Sequence, residues 1–299
     1  FSAYELESGE FLQDEIIFHG IINSLEAYDD LLLAAGSYIK VFEGQQKSIV
    51  AFDFSEYEEE ILFDSFDPIV GIDEIEIWND VLYIGDDNFN DPQLKNVLGF
   101  DLNTYEFNDI NIDLNLSFST GYFKDIEVDS SGIYVAHSSS ILPDVTASYV
   151  SAWDLETGDP IANWGIEFSG GGGSFTPPVS TISLQGNSMY IGGSASLISN
   201  SRIKNAVAVS LETGTPTSWS PEFNEEVHAL LAADSAMYVG GKFTSFSIGL
   251  QNYGEAYIAK LDTETAEPIW HLFDLFIDNT VLDLEYDPGQ NWIYASGEF

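Results

Sequence analysis

The densest run of potential ligands in the sequence is Asp86-Asp87-Asn88-Phe89-Asn90-Asp91. Side-chain oxygens at 86, 88 and 90 alternate as they do in a calcium loop, and calcium gathers about six to eight oxygens. Asp91 stands where such a loop needs glycine, and Val97 stands where its bidentate Glu belongs, so this is no EF-hand. Asp86, Asn88, Asn90 and Asp91 are the residues that could hold calcium here. The plain alternative is a polar surface loop in an acidic chain.

A second group emerges when strand-like segments are aligned. Ser24, Glu74, Asp125, Thr181, Ala229 and Asp283 fall at one register, each just before an apolar residue. If these segments line a common axis, the carboxylates of Glu74, Asp125 and Asp283 converge near it. Crowded carboxylates either bind a cation or take up protons more readily. With 50 Asp and Glu in the chain a chance match is easy, and a wet channel with no specific task is the competing account.

Other chemistry is thinly represented. His19, His137, His228 and His271 have no metal-ligand spacing, and His228 and His271 sit inside strand-like runs. A pair of carboxylates could cleave a glycosidic bond, but no pair stands out from the acidic background. Ser169–Ser174 (SGGGGS) lacks the lysine that follows a phosphate-cradling loop, and reads as a connection between units. Asn115-Leu116-Ser117 matches a glycosylation sequon that chance alone supplies.

The elements that position these residues are short. Val227–Trp270 contains four apolar runs separated by Gly, Asp, Ser, Thr and Pro. Such bounded runs are the strand-and-hairpin signal, and four of them in about fifty residues make one blade of a β-propeller. The spacing places turns at Asp234-Ser235 and at Gly240-Gly241.

The unit recurs. Leu32, Tyr83, Tyr134, Tyr190, Tyr238 and Tyr294 mark its second strand, and Glu5, Asp53, Asp101, Asp154, Ser210 and Asp262 mark its third. Both series advance by about fifty residues, and an internal repeat of that period decides the fold class. Left-handed or self-bonding turn residues separate the first two strands at Asp29-Asp30, Asn79-Asp80, Asp129–Gly132, Gly186-Asn187, Asp234-Ser235 and Asp287–Asn291. Trp164, Trp219 and Trp270 follow the last hairpin, with packing between neighbouring units as their expected role.

MYVGGKFTSF followed by AYIAKLDTETAEPIW resembles the delta-60 repeat, a propeller unit of large secreted and surface bacterial proteins. The match is good over 227–270, fair over 179–219 and weak over 21–62 and 69–110, where Gly-Gly and Trp are missing. The resemblance implies a propeller within an exported multi-domain protein. It carries no catalytic residues, because the repeat's shared positions are structural.

The fold expected is therefore all-β, a propeller of four-stranded blades filling 1–299 as one domain. Residues 1–16 supply the last half of a unit and the C-terminal segment its first two strands, which makes six blades with one shared between the ends; seven is the alternative. The chain reads as part of a longer protein.

Composition narrows the partners. Eight Lys and Arg stand against 50 Asp and Glu, a net charge of −42. Such a surface repels phosphate and anionic lipid, so nucleic acid is excluded as a partner. It attracts cations, and like copies need salt or divalent ions to approach. No apolar run reaches the length of a membrane span, and with no cysteine there is neither disulfide nor thiolate site. These features favour a non-enzymatic structural or interaction module of a marine bacterium's surface, active in adhesion or in assembly of an appendage or filament. Other protein domains, further copies or a surface glycan would be its partners. A calcium-assisted glycan-binding propeller and a carbohydrate-active enzyme are the alternatives.

Overall fold

The computed structural model describes residues 2–5, 19–29, 31–40, 46–53, 58–60, 72–86, 96–114, 122–142, 145–169, 179–194, 197–198, 201–233, 235–254, 256–269, 277–288 and 291–298. Among these residues every regular element is a β-strand, and every ladder is antiparallel.

After β1 (Ser2–Glu5), the strands β2 (His19–Tyr28), β3 (Leu31–Lys40), β4 (Gln46–Asp53) and β5 (Glu58–Glu60) form a sheet in chain order. The next sheet repeats the order with β6 (Glu74–Trp78), β7 (Val81–Gly85), β8 (Val97–Asp101) and β9 (Glu106–Ile112). A third contains β10 (Tyr122–Asp129), β11 (Gly132–Leu142), β12 (Val145–Trp153) and β13 (Pro160–Ser169). In the fourth, β14 (Val179–Gln185) pairs with β15 (Ser188–Gly193). The hairpin of β16 (Leu197–Ile198) and β17 (Ser201–Arg202) then extends the third sheet beyond β13, and β18 (Ala206–Ser210) returns to β15.

The fifth sheet follows β19 (Glu222–Phe223) and begins with β20 (Val227–Ala233) and β21 (Ala236–Gly241). Next, β22 (Phe246–Ile248) and β23 (Gln251–Tyr253) form a small sheet with β19, and β24 (Ile258–Asp262) returns to β21. Finally β25 (Val281–Asp287) pairs with β26 (Trp292–Gly297), whose other edge takes β1, with Ser2 opposite Ala295. The pairing of the first and last strands matches the sequence expectation.

The first strands of the sheets are neighbours in chain order. β2 packs beside β6, β6 beside β10, β10 beside β14, β14 beside β20, β20 beside β25, and β25 beside β2. Apolar clusters fill the space between consecutive sheets. One joins Leu33 and Ile49 to Ile75 and Leu82, the next Tyr83 and Val97 to Ile126 and Val135. Tyr134 and Val150 then meet Ile182 and Val207, Tyr190 and Trp219 meet Leu230 and Val239, and Tyr238 and Ile258 meet Leu284 and Ile293. The tyrosine repeat of the sequence is thus a core position.

One packing device recurs. The residues opposite the aligned first-strand register are Ala35, Gly85, Ala136, Gly192, Gly240 and Ser296, all small. A side chain from the following sheet occupies the space a larger residue would need: Phe123 against Gly85, Val227 against Gly192 and Val281 against Gly240.

Two expectations need correction. Gly240-Gly241 is not a turn but the end of β21, and its glycine is required by the close approach of Val281. The marker in the first full repeat is Leu33, not Leu32, because Leu33 stands opposite Glu26 as Tyr83 stands opposite Glu76. Among the described residues the sheets begun by β14 and β20 have three strands each. After β18 and β24 the described residues form isolated bridges, Val209 with Pro216 and Leu261 with Pro268.

The hairpins follow the sequence closely. Asp29, Asn79, Asp80, Gly186 and Asn291 have φ between 50° and 61°, the left-handed backbone that tight turns require. In the later hairpins, Asp101, Asp154 and Asp262 accept backbone N–H groups two and three residues on, such as Thr157 at 2.9 Å and Thr265 at 2.7 Å. These bonds hold all three carboxyls below the usual carboxylate range.

Candidate functional site

Each first strand is the terminal strand of its sheet, so one edge has no ladder. Its backbone N–H groups still need acceptors, since a buried, unpaired amide is costly. At three of the junctions, side chains of the neighbouring first strand supply them. Leu25 N donates to Asp283 Oδ2 at 2.6 Å and Ala27 N to Glu285 Oε1 at 3.3 Å, joining β25 to β2. Ile75 N donates to Ser24 Oγ at 3.1 Å and Ile77 N to Glu26 Oε1 at 2.9 Å, joining β2 to β6. Ile182 N donates to Asp125 Oδ2 at 2.6 Å and Leu184 N to Glu127, joining β10 to β14.

The positions these acceptors occupy form two tiers. The first is the register seen in the sequence, with Ser24, Glu74, Asp125, Thr181, Ala229 and Asp283. The second lies two residues further along each strand, where the side chain returns to the same face: Glu26, Glu76, Glu127, Ser183, Leu231 and Glu285. All of these except Ser24 and Ala229 line a cavity of about 500 Å³. Seven carboxyls therefore share one cavity, and several stay half-buried because they face it.

Burial raises the proton affinity of all seven. It is the largest cause for each, and for all but Asp125 repulsion between neighbours adds to it. Asp125 and Asp283 are pushed up to about 7 by burial, even though their backbone hydrogen bonds pull the other way. Glu26, Glu74, Glu76, Glu127 and Glu285 are all held well above the ordinary glutamate range.

The mouth of the cavity is built differently. In β2, β10, β14, β20 and β25 the ladder register shifts at one equivalent place, around Asn23, Lys124, Ser180, His228 and Leu282. A bulge re-aims the side chain it carries, and all five residues line the cavity beside the carboxyl tiers. His228 Nε2 lies 3.9 Å from Glu226 Oε2, and Ser180 Oγ donates to Glu226 Oε1 at 3.4 Å. Burial holds His228 below the ordinary histidine range, against the pull of Glu226. His137 is lowered to about 4 by burial, with Nε2 3.1 Å from Ser151 Oγ.

The structure brings Glu74, Asp125 and Asp283 into the one cavity, as their shared register implied. Among the described residues no group of three or more His, Cys, Asp or Glu is arranged to hold a metal ion. Of the first candidate set, Asp86 is buried after β7 and its backbone pairs with Asn96. Asn88, Asn90 and Asp91 lie outside the described residues, as do Asn115–Ser117, Gly170–Ser174, Trp270 and His271. Sequence reasoning missed the second tier of Glu26, Glu76, Glu127 and Glu285. The signal was available two residues beyond the aligned register. It also missed the mouth, because a bulge leaves no mark in the spacing of apolar residues.

No family model matches the chain, and no curated protein matches it. Among solved structures it is similar to the computationally designed Ika8 protein, at 11% identity and a TM-score of 0.52, over 98% of this chain and 89% of that one. The designed Ika4 protein gives 11% identity and a TM-score of 0.37, over 64% of this chain and 92% of its own. The likeness to Ika8 concerns fold alone.

Proposed function

We propose that the chain is a six-bladed β-propeller, with β1, β26 and β25 as the blade shared by its two ends, and that it serves as a non-enzymatic structural or interaction module of an extracellular or cell-surface protein. The chain-order contacts of the first strands, returning from β25 to β2, support the propeller. The observation that carries the functional reading is the use made of the cavity's carboxyls. Asp283, Glu285, Glu26, Asp125 and Glu127 accept backbone amides of the next strand, so the groups best placed for chemistry are engaged in holding sheets together.

Adhesion or assembly is then the work of the outer surface, with other protein domains, further copies or a surface glycan as partners. At a net charge of −42 such surfaces repel one another unless salt screens them or divalent cations bridge them. Light scattering and thermal melting of the purified chain test this, in low and seawater-like salt, with calcium added or chelated. The expected result is a rise in mass with calcium. A monomer of unchanged mass under every condition refutes the assembly reading.

A further inference from the structure

The central cavity concentrates acid where the ends of the chain are joined. Facing it are Glu26 from β2, Glu74 and Glu76 from β6, Asp125 and Glu127 from β10, and Asp283 and Glu285 from β25. From β14 only hydroxyls, Thr181 and Ser183, line it with polar groups at these tiers. At the mouth stand Asp73, Lys124, Glu226 and His228, so one lysine faces the whole set among the described lining residues. Asp283 and Glu285 also form the contact of β25 with β2, by way of Leu25 and Ala27. The Glu76 carboxyl accepts no hydrogen bond among the described residues, so its charge adds repulsion without a compensating bond.

We propose that this stack is a proton-linked latch: the folded chain retains protons on the cavity carboxyls that it releases on unfolding, so the contacts between first strands tighten as the solution becomes mildly acidic. The proton lets several carboxyls share the cavity, since a protonated carboxyl still offers an oxygen to the neighbouring amide while losing its repulsion. The sign follows from linkage. Asp125 and Asp283 are raised from the ordinary aspartate range to about 7, so the stability they contribute is full below that range and is lost as pH rises through about 7. The inference needs only the contacts between first strands and is independent of any surface role.

The test is urea unfolding of the full chain between pH 5 and 8.5 in about 1 M NaCl, where exposed charges are screened within about 3 Å. The midpoint should rise as pH falls. The unfolding equilibrium should shift by about tenfold per pH unit for each carboxyl kept protonated in the fold. Glu76→Gln should raise the midpoint at pH 8 and flatten its pH dependence, whereas Glu264→Gln, on the exposed surface, should leave the slope unchanged. A midpoint independent of pH, one that falls toward pH 5, or an unaltered slope in Glu76→Gln would overturn the proposal. Should Glu76→Gln fail to fold, unfolding the unaltered chain in weak buffer at pH 6.5 decides the matter: proton release supports the latch, and no release or uptake refutes it.

Discussion

Gly240→Ala tests the packing that brings the cavity together. A Cβ built on Gly240 lies 2.6 Å from Val281 Cγ1, 3.2 Å from Val281 Cβ and 3.3 Å from Ala229 Cβ. Carbons prefer about 3.5–4.0 Å, so one sheet must retreat by roughly 1 Å or Val281 must leave its rotamer, which a β-branched side chain resists. Val281 is fully buried and cannot move toward solvent. Overpacking of this kind costs about 1–3 kcal/mol. Val281→Ala alone removes two buried methyl groups and also destabilises, by about 1–2 kcal/mol at ~0.8 kcal/mol per carbon. Combined, the new methyl enters the space left by the old ones, so the double variant should be more stable than the sum of the single costs by about 1 kcal/mol or more. Urea denaturation of the four proteins measures that coupling. Gly254→Ala, where a Cβ meets nothing within 4 Å, should stay within about 0.5 kcal/mol of the parent. A neutral Gly240→Ala, or single costs that simply add, would refute the close approach of β21 and β25.

Two further outcomes follow from the hairpins. Trp219 is buried, lies edge-on to Tyr190 at 5.0 Å and donates to Asp262 O at 3.1 Å, so Trp219→Ala should cost about 3–5 kcal/mol in chemical denaturation. Trp219→Phe should cost less, because it keeps most of the ring and loses chiefly the hydrogen bond. Asp262→Ala removes the acceptor for Glu264 N, Thr265 N and Thr265 Oγ1 and should lower the melting temperature. Its carboxyl is held low, so the stability it gives is present above the ordinary aspartate range and lost as pH falls through its own lower value. The difference between Asp262→Ala and the parent should therefore shrink near pH 3, and a difference that grows there contradicts the turn geometry.

The fold was legible wherever one residue type had to recur for one local reason. Asp101, Asp154 and Asp262 recur because a carboxylate closes the same turn, and Tyr83, Tyr134, Tyr190, Tyr238 and Tyr294 because their rings are buried at one equivalent core position. Gly240 misled for the opposite reason. Glycine serves both to turn a chain and to admit a neighbour's side chain, and only the position of Val281 tells the two apart. The cavity was half legible: the shared register of Glu74, Asp125 and Asp283 was visible, but the bonds of Asp125 and Asp283 to another sheet's amides were not, since those partners lie more than fifty residues away. The same bonds explain why acid accumulates at the centre of an acidic protein. Adjoining first strands carry unpaired amides, a short carboxyl reaches them well, and a second carboxyl two residues on reaches the next amide along. Repeating that solution around several strands collects more carboxyls than the cavity can hold fully ionised, so a local answer to a hydrogen-bonding need creates a shared proton store.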